Sequence, residues 1–118
     1  MKKFAFTNLN VWKETHNLIR KIYKLQIPND EKYALRQQLI RSAPSISLNI
    51  AEGYGRDSQK ELIRFLHIAK GSAYETYDNL LILNEIYEID VQELLDVIDH
   101  ICAMLSNLIK RITLNTKH

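Results

Sequence analysis

The run VQELLDVIDHICAMLSNLIKRI, residues Val91–Ile112, decides the fold. Its apolar residues, Val91, Leu94, Leu95, Ile98, Ile101, Cys102, Leu105, Leu108, Ile109 and Ile112, recur at spacings of 3, 1 and 3. That repeat is a heptad with apolar a, d and e positions. It gives the broad stripe of a bundle helix rather than the narrow seam of a two-stranded coil. Asp90-x-x-Glu93 offers a capping box at the start, and the pattern predicts helix over about residues 91–113.

Working backwards, Ser58-x-x-Glu61 is a second capping box, and Gly53, Gly55 and Asp57 break the chain before it. Leu62, Phe65, Leu66, Ala69, Ala73, Leu80 and Leu83 then share one face, which predicts a helix over 58–86. A first helix, 8–26, carries Val11, Leu18, Ile22 and Leu25 and stops before Pro28. A second, 30–53, is capped by Asn29, has Asp30 and Glu31 at its positive end, and buries Leu35, Leu39, Ile46 and Ile50. Pro44 interrupts it by removing the amide that would bond the Ile40 carbonyl; a kinked single helix is the expectation and a break at Ala43 the rival. Four helices on short links predict an all-α, antiparallel up-down-up-down four-helix bundle. With 118 residues, 3 Gly and 2 Pro, the chain fits one domain without an internal repeat.

Most chemistry is excluded by what the sequence lacks. The single Cys102 has no disulfide partner and reads as small core filler, which suits a reducing cytoplasm. The opening MKKFAFTNLNVWKE has no apolar stretch of the kind a secretion signal needs, and no run is long and apolar enough for a membrane. No Glu precedes His16, His67 or His100 at the spacing of a di-iron bundle, so no metal or cofactor is expected. Gly53-Tyr54-Gly55 follows a helix and lacks the rest of a phosphate-binding loop. Arg111 and His118 have roughly the spacing of a ribonuclease pair but lie near a fraying end, and they are read as coincidence. The expectation is a protein without an active site.

Extending the core phase places Ser42 and Asn49 of the second helix, and Ser72 and Thr76 of the third, where apolar groups normally sit. They read as a structural polar network that fixes helix register, with Gly71, Ser72 and Ala73 permitting close approach. Charge is unevenly spread. Residues 1–70 hold 13 Lys and Arg against 6 acids, whereas residues 71–109 hold 8 acids and no Lys or Arg. Lys13, Arg20 and Lys24 recur on one side of the first helix, and Lys60, Arg64 and His67 on the third, near Arg56. Such stripes are open to three readings: solvated faces, phosphate contacts, or basic and acidic surfaces that meet between subunits. The apolar arm Phe4-Ala5-Phe6 has no evident place in a four-helix core and also suggests association.

Ser45-Ile46-Ser47-Leu48-Asn49-Ile50-Ala51-Glu52-Gly53, Gly55-Arg56-Asp57-Ser58, Phe65-Leu66-His67-Ile68-Ala69 and Gly71-Ser72-Ala73-Tyr74-Glu75 together resemble the 23S ribosomal RNA intervening-sequence proteins, as do Leu9-Asn10-Val11-Trp12 and Ile22-Tyr23. The resemblance covers nearly the whole chain. Two features depart from it: the proline stands at 44 rather than near 47, and Ile86-Tyr87-Glu88 replaces a Gly-Tyr turn.

The resemblance implies a four-helix bundle encoded within ribosomal RNA gene inserts or elsewhere in bacterial genomes. A related branch, the accessory variability protein of diversity-generating retroelements, is a pentameric barrel that binds nucleic acid and a partner protein. By that likeness the chain is expected to form a cyclic homo-oligomer, a pentamer, that binds RNA or DNA. Arg41, Arg56, Lys60 and Arg64 are the first candidate contacts, with Lys13, Arg20 and Lys24 as the second set. The alternative is a homo-oligomeric scaffold that engages another protein and no nucleic acid.

Overall fold

The computed structural model describes residues 4–28 and 34–115. A short 3-10 turn, Ala5–Asn8, precedes four helices: α1 (Asn10–Tyr23), α2 (Ala34–Tyr54), α3 (Gln59–Tyr87) and α4 (Gln92–Asn115). They form an all-α four-helix bundle, 53 × 31 × 20 Å in extent. Cross-helix pairs set the direction of each neighbour. Ser42 meets Thr76 and Ser45 meets Ser72, so α2 and α3 are antiparallel. Lys21 meets Glu93 at one end while Val11 and Leu108 line one cleft at the other, so α1 and α4 are antiparallel too.

One cluster of buried side chains runs through all four helices, with Leu18, Leu39, Ile46, Leu66, Ile98 and Leu105 fully buried. The heptad of α4 supplies Leu94, Leu95, Ile98, Ile101, Leu105 and Leu108 to this core. Cys102 is half-buried, and burial raises its thiol pKa.

α2 is continuous through Pro44, as the single-helix expectation has it, which excludes the rival break at Ala43. Other local expectations need correction. The Asn29 cap, the charges at Asp30 and Glu31, and the first residues assigned to that helix lie outside the described residues, as does His118. α1 ends at Tyr23 rather than Gln26, because bonds from the Lys24 and Leu25 amides to Lys21 and Ile22 tighten its last turn. Leu25 and Ile27 then pack on the core from non-helical backbone leading to Pro28. The aromatic arm is not loose: Phe6 packs against the core with its ring edge-on to Trp12 at 6.2 Å, and Phe4, 73% exposed, stacks on Phe6.

The capping box at Ser58 is half-formed, and the one at Asp90 does not form, because α4 begins at Gln92 and Asp90 bonds that amide rather than the Glu93 amide. Ser58 accepts from the Glu61 amide, but the Glu61 carboxylate turns to Arg64. Asp90 accepts from the Gln92 amide at 3.0 Å, while Glu93 pairs with Lys21. At the α3–α4 turn, Glu88 adopts φ 55°, the left-handed conformation that glycine tolerates best. The Asn84 carbonyl accepts from its amide, and Asn84 donates across the turn to the Ile89 carbonyl.

The α2–α3 seam contains the polar network. Thr76 and Ser42 are fully buried. The Thr76 hydroxyl donates across the seam to the Ser42 hydroxyl at 2.9 Å and lies 2.8 Å from the Ser72 carbonyl of its own helix, so its one proton is shared between the two acceptors. Ser72 reaches across to Ser45 rather than to Asn49; Asn49 donates within α2 to the Ser45 carbonyl and hydroxyl. Asn79 is also buried, and its amide nitrogen has no partner among the described residues.

The glycines exchange the roles expected of them. Gly53 lies inside α2, and a Cβ there would meet Phe65 Cβ at 2.9 Å and the Leu62 carbonyl oxygen at 3.3 Å. Gly71 faces open space, so it is not the site of close approach. Gly53→Ala should therefore destabilise the fold by about 1–3 kcal/mol through overpacking. Gly71→Ala should stabilise it by about 0.5–1 kcal/mol through helix propensity. Urea unfolding followed by circular dichroism checks the pair, and shifts of the same sign would contradict this packing.

Candidate nucleic-acid interface

The α2–α3 turn builds a basic corner from four residues of chain. The Gly55 amide bonds back to the Ala51 and Glu52 carbonyls, the Arg56 amide to Gly53, and Ser58 opens α3. Arg56 and Arg64 are thereby brought to the same phenyl ring, their guanidinium carbons 4.9 and 4.4 Å from the centroid of Phe65. Each also faces a carboxylate. Arg64 makes a bidentate pair with Glu61 at 3.0 and 3.1 Å, and Arg56 stands 3.8 Å from Glu52. The hydrogen bond from Arg64 holds the Glu61 carboxyl below its usual range, and the same bond raises the Arg64 guanidinium. Exposed pairs of this kind contribute little to stability, so their main effect is to fix where the guanidinium groups sit. Lys60 is exposed beside them, with no carboxylate in ion-pair range among the described residues.

Arg41 does not belong to this corner. It pairs with Glu75 across α2 and α3. From Arg41 to the end of α2 at Tyr54 the helix rises about 20 Å, and Arg56 lies beyond that end in the turn. Conversely, the end of α4 brings Lys110 and Arg111 to the same end of the bundle, and Arg111 is close enough for its charge to be felt at Tyr54. Burial is the larger influence there and raises the Tyr54 phenol pKa. These two cations were missed as contacts; the basic stretch after residue 109, combined with the expected topology, was the available signal.

The second candidate set forms a continuous feature. Lys13, Arg20 and Lys24 are all exposed on the outer face of α1, at rises of about 10 and 6 Å between successive members. None has a carboxylate in ion-pair range among the described residues, whereas the adjacent Lys21 is bound to Glu93. Lys13 lies near the start of α1, at the end of the bundle that also holds Lys60, Lys110 and Arg111.

His16 stands behind this stripe, its Nε2 2.8 Å from the Ser47 hydroxyl and its ring 3.9 Å from Trp12. Burial, assisted by the charge of Arg20, lowers its pKa below 6.5. No group of three or more His, Cys, Asp or Glu among the described residues is placed to hold a metal ion. No helix among them is long and apolar enough to cross a membrane.

A helical bundle with basic residues gathered at one end and along one helix is the class of protein these features define. The sequence model of the 23S rRNA-intervening sequence proteins matches residues 7–107, and the chain belongs to that family. A solved structure of a protein of unknown function from the S23 ribosomal protein family of Bacteroides thetaiotaomicron VPI-5482 is similar, with a TM-score of 0.77 and 25% identity. The match covers 85% of this chain and 98% of the other. No curated protein matches the chain.

The depressed pKa of His16 gives a test of its surroundings. The unfolded chain takes up this proton at a higher pH than the folded one. The contribution of neutral His16 is therefore complete above the unfolded value of about 6.5 and is lost as pH falls through the lower, folded value. His16→Asn should flatten the decline of the urea midpoint between about pH 7.5 and 5.5. Parallel declines in the two proteins would show that His16 does not govern it.

Proposed function

We propose that this chain is a non-enzymatic, oligomeric bundle that holds RNA or DNA through the phosphate backbone, without reading base sequence. The observation that carries the reading is the row Lys13, Arg20 and Lys24, exposed on one face of α1 and unmatched by carboxylates among the described residues. Cations already paired must give up a partner to meet phosphate, and these need not. Lys60, Lys110 and Arg111 extend the basic surface at one end; Arg56 and Arg64, held on Phe65, offer planar groups beside it. A closed homo-oligomer, a pentamer by family resemblance, would repeat the row around its axis and make weak contacts multivalent. A cytoplasmic setting, where Cys102 stays a thiol, belongs to the same reading.

The second reading is a scaffold in which the α1 row docks on another subunit. It is favoured by the stretch 71–109, with 8 acids and no Lys or Arg. Fluorescence anisotropy with labelled single-stranded and duplex RNA and DNA, beside light scattering for mass, separates the two. The combined change Lys13→Gln, Arg20→Gln and Lys24→Gln should weaken binding to every sequence and reduce the log–log salt slope by about 2 on single strands and about 3 on duplex DNA, with the oligomer mass unchanged. Loss of mass in that variant would select the scaffold. No binding by the native protein at low salt would end the nucleic-acid reading.

A further inference from the structure

On the α3–α4 side of the bundle an open groove of about 370 Å³ is lined by Tyr74, Tyr77, Asp78, Ile98, Asp99 and Cys102. Its composition differs from the rest of the surface. Ile98, fully buried, forms an apolar floor, and Tyr74, 62% exposed, stands as a wall that no core contact requires. Asp78 and Asp99 are exposed, one from each helix, and neither has a basic partner in ion-pair range among the described residues. The groove lies wholly within the stretch 71–109 that lacks Lys and Arg. Lys70, one turn before Tyr74, is near enough for its charge to reach the Cys102 thiol but is not part of the lining.

Tyrosine faces attract cations, and carboxylates on both sides of a seam fix one in place. A guanidinium suits this setting better than an ammonium, since its plane stacks on a ring while its fork meets a carboxylate. The surroundings favour a side chain carried on a polypeptide over a free small cation. Along α3, seven residues beyond Tyr74 and Asp78, Leu81 is 37% exposed and Glu85 is exposed, continuing one apolar and one acidic track past the groove. We propose that this groove is a docking site for an arginine side chain presented by a positively charged segment of a partner protein. The site is separate from the α1 row and does not depend on nucleic-acid binding.

The test uses the full chain and fluorescein-labelled heptaarginine and heptalysine, read by anisotropy. Heptaarginine should bind more tightly than heptalysine. Tyr74→Ala and Asp99→Asn should each weaken heptaarginine by about fivefold, the size of one cation–π or ion-pair contact in a partly exposed site. Glu88→Gln, which removes the same charge from the α3–α4 turn, should change it little. Lys70→Ala should tighten it. Tyr74 and Asp99 are exposed enough that their variants keep the helical dichroism, which is measured alongside. Equal losses from Asp99→Asn and Glu88→Gln would reduce the effect to the general acidic field and overturn the site. So would an unaltered Tyr74→Ala variant. Failure of the native protein to bind either peptide, with Asp99→Asn dissociating the protein's own oligomer, would assign the groove to a second copy instead.

Discussion

The approach of α2 to α3 at Gly53 is the constraint on which the other features rest. With no side chain at residue 53, the α2 backbone comes against the Cβ of Phe65 and the carbonyl of Leu62, closer than any larger residue would allow. That contact fixes the separation of the two helices at one end. The pairs Ser45–Ser72 and Ser42–Thr76 then fix their register further along, because a slip would leave buried hydroxyls without partners. The same contact sets the Phe65 ring, on whose faces or edge Arg56 and Arg64 rest, so the packing of the seam and the position of the basic corner share one cause.

Electrostatic organisation follows from topology more than from composition. A formal charge of +2 conceals a basic end, a basic outer face on α1 and an acidic α3–α4 side. Antiparallel packing collects the start of α1, the α2–α3 turn and the end of α4 at the basic end. It places the end of α3 and the start of α4, with Glu85, Glu88, Asp90 and Glu93, at the other. The surface thus carries its basic and acidic faces on different helices.

Much of the fold was legible in the sequence because it rests on periodicity. The α4 heptad and the Leu62–Leu83 face identify core positions from spacing alone, and Ser42 and Thr76 were visible as polar interruptions of that spacing. What escaped depends on distances between helices. Gly53 and Gly71 look alike in sequence, and only the neighbouring helix decides which of them is needed. Ser45 lies off the core phase, yet it is the residue that Ser72 meets. Arg41 looked like part of a set with Arg56, but helical rise and its pairing with Glu75 separate it. Phe6 found its place through a 3-10 turn that no periodic pattern announces.

Native-state hydrogen exchange tests the primacy of the α2–α3 seam most directly, since it resolves which amides open only with global unfolding. The account predicts that amides from Ser42 to Gly53 in α2 and from Leu62 to Thr76 in α3 exchange last and together, after those of α1, with a common response to added urea. If α1 and α4 instead formed the most protected unit while the α2–α3 seam opened in a separate, lower-energy step, the seam would not be the element that organises the bundle or its basic corner.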